Sequence, residues 1–268
     1  MLRVYLGDFK RFIPLLFSLT SRDFKLKYRR SILGVLWSIL NPLLIMIVMT
    51  SVFTLLLRVQ PTGMPFAVYY ITGSTLYNFF TEATSGSMSS ILGNSSLIKK
   101  VYIPKYMFPL EKCMFAFINM LFSMIAVVLV FGFYIITDPQ EVSLHWTIFL
   151  IFIPMIFTFL FSVGVSLILS ALTVFFRDML HLWGVIITIW LYMTPIIYPV
   201  EILQNSGLTW IVKLNPLYYF IDSFRQLMIL GTIPSLTNFL VSFLSCLVLL
   251  IVGGLIFRKA QDRFIMHI

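Results

Sequence analysis

The sequence predicts an all-α membrane protein with six transmembrane helices, an N-terminal amphipathic interface helix, and short re-entrant outer helices between spans five and six. Three observations predict it. Of the 268 residues, 60% are hydrophobic and only 11% charged, and the mean hydropathy is +0.99, whereas a soluble domain of this size needs far more polar surface. Six stretches approach the roughly 20 apolar residues that cross about 30 Å of hydrocarbon. Lys and Arg collect on one side of those stretches, as the cytoplasmic flanks of membrane proteins do.

The first element is the interface helix at residues 12–31, which leads into the basic-to-apolar run RDFKLKYRRSILGVLWSILNPLL of residues 22–44. Arg22, Lys25 and Arg29 recur at i, i+3 and i+7, so a helix gathers them on one face. Ile13, Phe17, Phe24 and Tyr28 fall about a third of a turn away. The pattern is that of a helix lying on the cytoplasmic membrane surface, rings in the headgroup boundary and cations toward phosphate or a protein partner. The plainer use of the same charges is to orient the first span.

Spans are predicted at 35–57, 66–91, 114–136, 144–171, 182–200 and 236–257. Eight cations precede the first, four lie between residues 99 and 112, Arg177 stands alone, and Arg258, Lys259 and Arg263 follow the last. Only Arg58, Lys213 and Arg225 fall on the opposite side. Both termini are therefore predicted to be cytoplasmic. The net charge of +9 follows from this topology and does not point to nucleic acid.

The second span divides into two halves. Tyr70 and Tyr77 share a face at i, i+7, with Gly73 and Phe80 near it, and residues 81–90 read TEATSGSMSS. The small-residue pairs Ala83/Ser87 and Gly86/Ser90 fit a tight helix seam. A second use is a hydroxyl-rich conduit wall, the aromatic half offering flat faces to sugar rings. The fifth span carries Trp183 and Trp190, then Tyr192, and leaves through MTPIIYP. Trp190 sits too near the helix middle for an interface belt. Residues 201–234 are too apolar for an ordinary outer loop but carry Gly207, Asn215-Pro216 and Asp222, which break or cap helices. Two short helices dipping into the outer leaflet satisfy both facts, as a gate or as a simple lid.

Several classes are set aside. No signal-peptide cleavage is expected, because residues 22–30 place cations where a small-residue site belongs. Cys113 and Cys246 read as packing residues, and His145, His181 and His267 show no ligand spacing, so no metal site is predicted. No Gly is followed by Lys, which rules out the P-loop G-x-x-x-x-G-K-[ST]. Glu82 is the one acidic residue well inside a span; a buried hydrogen-bonded or pore-lining group is the preferred reading, a proton relay the other. The whole chain, 1–268, reads as one polytopic domain.

These residues resemble the transmembrane permease subunits of ATP-binding-cassette exporters for O-antigen, capsular and teichoic-acid polysaccharides. The likeness lies in the 22–44 run, NSSLIKKVYIPKYMFPL from Asn94, FFRDM from Phe175, TPIIYP from Thr194 and NPLYYFIDSFR from Asn215, and covers nearly the whole chain. It implies a cytoplasmic coupling segment at 94–105, with Asn94, Leu97, Ile98, Lys99, Lys100, Pro104 and Lys105 docking on a separate ATPase. Family members often read Phe-Pro-Arg where this chain has Ile103-Pro104-Lys105, so a bidentate carboxylate contact there is not expected.

The resemblance further implies a homodimer with two ATPase subunits that bind ATP and Mg, no cofactor in this chain, and no enzymatic activity of its own. The implied substrate is polysaccharide, O-antigen first, on undecaprenyl diphosphate, exported across the bacterial inner membrane. Arg22, Lys25, Arg29 and Arg30 would meet the lipid headgroup. Trp37, Tyr70, Tyr77, Phe80, Trp190 and Tyr192 would line the channel, and Asn215, Pro216, Tyr218 and Tyr219 the outer gate within 201–234. The alternatives are a permease for a drug or small lipid, and a membrane-embedded transferase using a polyprenyl carrier, which would need clustered loop carboxylates. Asp138, Glu141, Glu201 and Asp222 are widely spaced instead.

Overall fold

In hydrocarbon every backbone N–H and C=O must be met within its own segment, and the chain meets this demand with helices, no strand occurring among the described residues. The computed structural model describes residues 2–29, 31–59, 61, 63–205, 207 and 209–266, and the side chains of all of these except 2–10, 203–205 and 265. Helix α1 (Leu2–Tyr28) is followed by α2 (Trp37–Thr50), which a 3-10 turn and a π-helical turn extend into one rod, Gly34–Leu56. Then come α3 (Phe66–Met88), the short α4 (Ser90–Gly93) and α5 (Ser95–Lys100), α6 (Met107–Thr137), α7 (Phe152–Phe175), α8 (Met179–Met193), the short α9 (Val200–Asn205) and α10 (Thr209–Leu214), α11 (Pro216–Arg225) and α12 (Leu236–Gln261).

Among the described residues, four helical segments are long and apolar enough to cross a membrane: Gly34–Leu56, Met107–Thr137, Trp146–Phe175 and Leu236–Gln261. Two predicted spans differ from this description. Helix α3 has the length but is too polar on average, because it is the central helix and 18 of its 23 residues are buried against protein. Helix α8 has 15 residues, about 22 Å at 1.5 Å per residue. It stops at Met193 because Pro195 disfavours helical geometry at the residue before it, and Thr194 is extended at φ −108°, ψ 127°.

Other boundaries moved for identifiable reasons. Helix α6 starts seven residues before the predicted span and has 31 residues, about 46 Å, so it outreaches the hydrocarbon. Pro109 lies in its first turn, where a missing N–H costs nothing, and the charges at Glu111 and Lys112 sit on helix, not loop. Helix α1 begins at Leu2 rather than near residue 12 and buries Leu16, Leu19 and Thr20 beside Ile103, Met107 and Phe108. The predicted ring face divides: Phe24 packs on Phe115 and Phe122 of α6 at centroid distances of 6.4 and 5.5 Å, whereas Phe17 stays 55% exposed. A ring beside an accessible protein face packs there instead of entering the headgroup layer. Between α8 and α12 the described residues hold three short helices, not two, and α11 ends in a π-helical turn at Gly231, whose φ of 66° suits the left-handed stop.

The bundle closes on small residues. A Cβ on Gly253 of α12 would overlap the Gly164 carbonyl of α7, and one on Gly164 would overlap Leu249. Across the same seam Cys246 Sγ donates to the Phe157 carbonyl at 3.1 Å. The TEATSGSMSS stretch is likewise a seam. Ala83, Thr84, Ser87 and Ser90 are buried, and the hydroxyls of the last three donate to backbone carbonyls, Ser87 also to Pro109 of α6 at 3.1 Å. They do not form an open hydroxyl wall. Replacing Gly253 by Val should destabilise the fold by roughly 1–3 kcal/mol through overpacking, read as an earlier midpoint in a denaturing-detergent titration. Gly254→Val, where a Cβ meets open space, is the control, and equal effects at both positions would refute the seam.

Candidate functional site

Where the carboxyl end of α1 meets α2, α3 and α6, the side chains border a cavity of about 450 Å³. Glu82 anchors it. Lys27 Nζ and Asn119 Nδ2 both donate to Glu82 Oε1, at 2.8 and 2.9 Å. The Glu82 and Lys27 side chains are 37% and 40% exposed, so solvent screens the pair and its net worth is about 1 kcal/mol or less. Glu82 is thus hydrogen-bonded, as expected, but it lines a cavity and is partly exposed rather than buried. Tyr28 adds a hydroxyl contact with Ser38 of α2 and donates to Asn119 Oδ1 at 3.3 Å. Trp37, at the first turn of α2, borders the same cavity and is 46% exposed.

One turn earlier on α1, Asp23 contacts Lys112 of α6, which also lies 3.4 Å from the buried Glu111. Burial raises the Asp23 carboxyl, but hydrogen bonds and charge from Lys112 and Arg22 outweigh it and hold the group below its ordinary value. A depressed carboxylate contributes stability present above its unfolded pKa and lost as pH falls through its folded one. This tie therefore holds at neutral pH and weakens in acid.

The opposite flank of α1 carries the predicted headgroup cations. Arg22, Lys25 and Arg29 line one shallow groove with Phe17 and Ser21. Arg22 pairs with Asp23 at 2.9 Å, and among the described residues Lys25 and Arg29 have no acidic partner within 4.0 Å. Arg30 lies outside the described residues. The predicted coupling segment folds as α5 and an extended link. Leu97 and Ile98 pack toward the Leu16–Leu19 face of α1, Asn94 Nδ2 donates to Ser90 at 2.8 Å, and Lys99 and Lys100 are exposed. Pro104 is half-buried, and Lys105 turns inward: Nζ donates to the Gln261 carbonyl and stands 5.8 Å from the Phe264 ring centroid.

The predicted channel residues separate. Phe80 is fully buried among Phe161, Trp183 and Trp190, and Tyr77, 4% exposed, donates its hydroxyl to the Ile187 carbonyl. Tyr70 is buried and stacks on Phe66. Within one chain these three pack the core and line no open wall: residues of α7 and α8 cover Phe80 and Tyr77, and Tyr70 lies against Phe66 of its own helix. Trp190 is half-buried, Tyr192 is 61% exposed, and Trp37 alone of the six borders the polar cavity.

Where α8 ends, Asn215 caps α11 by accepting from Leu217 N at 3.1 Å. The same Oδ1 accepts from Trp190 Nε1 at 2.8 Å, and Nδ2 donates to Thr194 Oγ1 at 2.7 Å. Asn215 therefore ties α11 to the end of α8. Pro216 opens α11 at its first turn, Tyr219 donates to the Lys213 carbonyl at 3.0 Å, and its ring meets Tyr218 edge-on at 5.4 Å.

Sequence reasoning missed the residue that organises this end. Arg225 was counted as an outer-loop cation, yet it is 5% exposed. Its Nη1 donates to the Pro195 carbonyl and its Nη2 to the Tyr69 carbonyl, both at 2.9 Å, and its guanidinium lies 3.5 Å from the Tyr69 ring centroid. Gly73 leaves the space for it, since a Cβ there would meet Nη2. The available signal was an Arg inside an apolar stretch, YYFIDSFRQLM, where an ionisable group demands partners. Asn119 and Lys27 were missed too, because their meeting with Glu82 depends on the α1–α6 contact.

The sequence profile of the family described as ABC-2 type transporter matches residues 14–229. Among similar proteins, one from Klebsiella pneumoniae named O-antigen export system permease protein RfbA is 34% identical over 250 residues, covering 93% of each chain. A second Klebsiella pneumoniae protein of that name is 32% identical over the same share. One of that name from Myxococcus xanthus is 28% identical over 93% of this chain and 94% of its own.

Arg225→Lys keeps the charge but cannot present two fork N–H groups to Pro195 and Tyr69. It should lose roughly 1.5–3 kcal/mol, the worth of one charge-assisted hydrogen bond, measured as a lower thermal midpoint in detergent; wild-type stability would refute the lock. Tyr77→Ala should cost folded yield through a core cavity of roughly 3–5 kcal/mol, and full yield would mean that the side chain is not a packing element.

Proposed function

This chain belongs to the ABC-2 type transporter family, and from that premise we infer that it is the permease subunit of an ATP-driven exporter of O-antigen. The observation that carries the reading is continuous similarity, over 93% of the chain, to three proteins named as O-antigen export permeases. It is a transport subunit, not an enzyme, and a multi-pass membrane protein.

The finer mechanism is our proposal. Two copies of the chain, each crossing the inner membrane six times with both termini cytoplasmic, assemble with two ATPase subunits that bind ATP and Mg. Helices α3 and α8 serve as the second and fifth crossings; the short α8 and the apolar α9–α11 region together account for the fifth passage and its return. Lys25 and Arg29, accessible and without an acidic partner among the described residues, suit the diphosphate of an undecaprenyl-linked polysaccharide. The exposed Lys99 and Lys100 on α5 suit contact with the ATPase. Asn215 and α11 suit a gate at the outer end, because they are joined to α8 by side-chain hydrogen bonds and so move with it.

Depleting the protein in its producing cell should make undecaprenyl-linked O-antigen accumulate in the inner leaflet while surface O-antigen falls; unchanged surface polymer would overturn the reading. Deleting residues 96–100 should abolish co-purification of the ATPase, and an intact complex would remove α5 from the coupling role.

A further inference from the structure

The cavity at the foot of α2 holds more polar equipment than the fold uses. Asn41 of α2 and Asn78 of α3 are exposed and line it, and among the described residues neither carboxamide makes a hydrogen bond. Both ties to Glu82 fall on Oε1, leaving Oε2 without a protein partner among the described residues. An amide in a helix embedded in a membrane bundle needs water or a ligand, since unsatisfied polar groups cost roughly 1–3 kcal/mol each. The volume of about 450 Å³ falls within the roughly 300–1,000 Å³ of small-molecule sites.

The chemistry selects the occupant. Lys27 and Glu82 neutralise one another at 2.8 Å, so the cavity has no charge excess to attract a phosphate or a cation, and the described residues hold no cluster of metal-ligating side chains. Two carboxamides, each donor and acceptor, and a free carboxylate oxygen match vicinal hydroxyls, which are themselves donors and acceptors. Trp37 supplies a half-exposed indole against which the C–H face of a pyranose ring can pack.

We propose that the cavity bordered by Trp37, Asn41, Asn78 and Glu82 is a binding subsite for one uncharged sugar unit of the exported polymer. This rests on the exporter reading. From Glu82 back to Thr75 the α3 side of the cavity extends about 10 Å, so in the topology proposed above the subsite runs inward from the cytoplasmic end of α3. Lys27 and Tyr28 form its cytoplasmic edge. Because both belong to α1, the interface helix and the first bound sugar share one set of hydrogen-bonding neighbours.

The test uses the permease–ATPase complex in nanodiscs and, as probe, O-polysaccharide released from the producing strain by mild acid and freed of lipid. Binding is read by thermophoresis. Asn78→Leu should weaken it about fivefold, the effect of one lost hydrogen bond, and Trp37→Ala about tenfold, with Trp37→Phe restoring most of the loss. Asn41→Leu supplies an independent variant on another helix should either fail to assemble, as judged by gel filtration. Wild-type binding in all the assembled variants, or no binding of the probe to the wild-type complex, overturns the subsite and marks the cavity as hydrated space only. Unchanged surface O-antigen in cells lacking the chain overturns the exporter reading instead.

Discussion

The end of the molecule where α3, α8 and α11 meet depends on the need to satisfy one buried guanidinium. Arg225 is withdrawn from water, and a charge so placed is tolerable only with hydrogen bonds and compensating dipoles around it. Carbonyls supply them, one from Tyr69 of α3 and one from Pro195. The second is accessible because α8 has already ended, its helix broken by the Thr194-Pro195 step. Tyr69 works twice, its ring under the cation and its hydroxyl donating to the Pro195 and Tyr198 carbonyls at 2.8 and 3.0 Å. The unwound TPIIYP stretch is thus the feature that lets three helices share one charge. Gly73 is the steric condition for the arrangement, and Asn215 repeats the same logic at the other end of α11 with a neutral amide.

The gross plan was legible in the sequence because membrane crossing imposes length and polarity constraints that composition reveals directly. The rods at Gly34–Leu56 and Leu236–Gln261 fall almost where hydropathy puts them. Legibility fails where protein, not lipid, is the solvent. Helix α3 looks too polar to cross because its neighbours shield it, and hydropathy cannot distinguish a seam of small hydroxyls from a wetted wall. The Gly164–Gly253 contact escaped notice for the same reason: two isolated glycines become a motif only when two distant helices are set side by side.

The candidate site was legible by residue type more than by location. The aromatic residues were the natural suspects for carbohydrate, and most of them turn out to be structural, closed around Phe80. The polar cavity lies elsewhere, and only Trp37 belongs to both lists. Glu82 was singled out correctly as unusual, but its partners come from α1 and α6, separated from it by 55 and 37 positions. Pairings at that range are set by how α1 lies on the overlong α6, a packing outcome that local spacing does not encode.

Lys105 has a mechanical consequence. By holding the Gln261 carbonyl and the Phe264 ring it fastens the link after α5 to the end of α12, and α12 comes so close to α7 at Gly164 and Gly253 that no side chain fits between the two glycines. A backbone contact this close has little to compress. A displacement applied at the link after α5 would therefore be transmitted by α7 and α12 as one stiff plank. α2 lies outside that plank, with Leu44, Ile45, Ile47 and Val48 exposed, and is held to α6 by lighter ties such as the hydrogen bond from Ser123 to the Ser38 carbonyl.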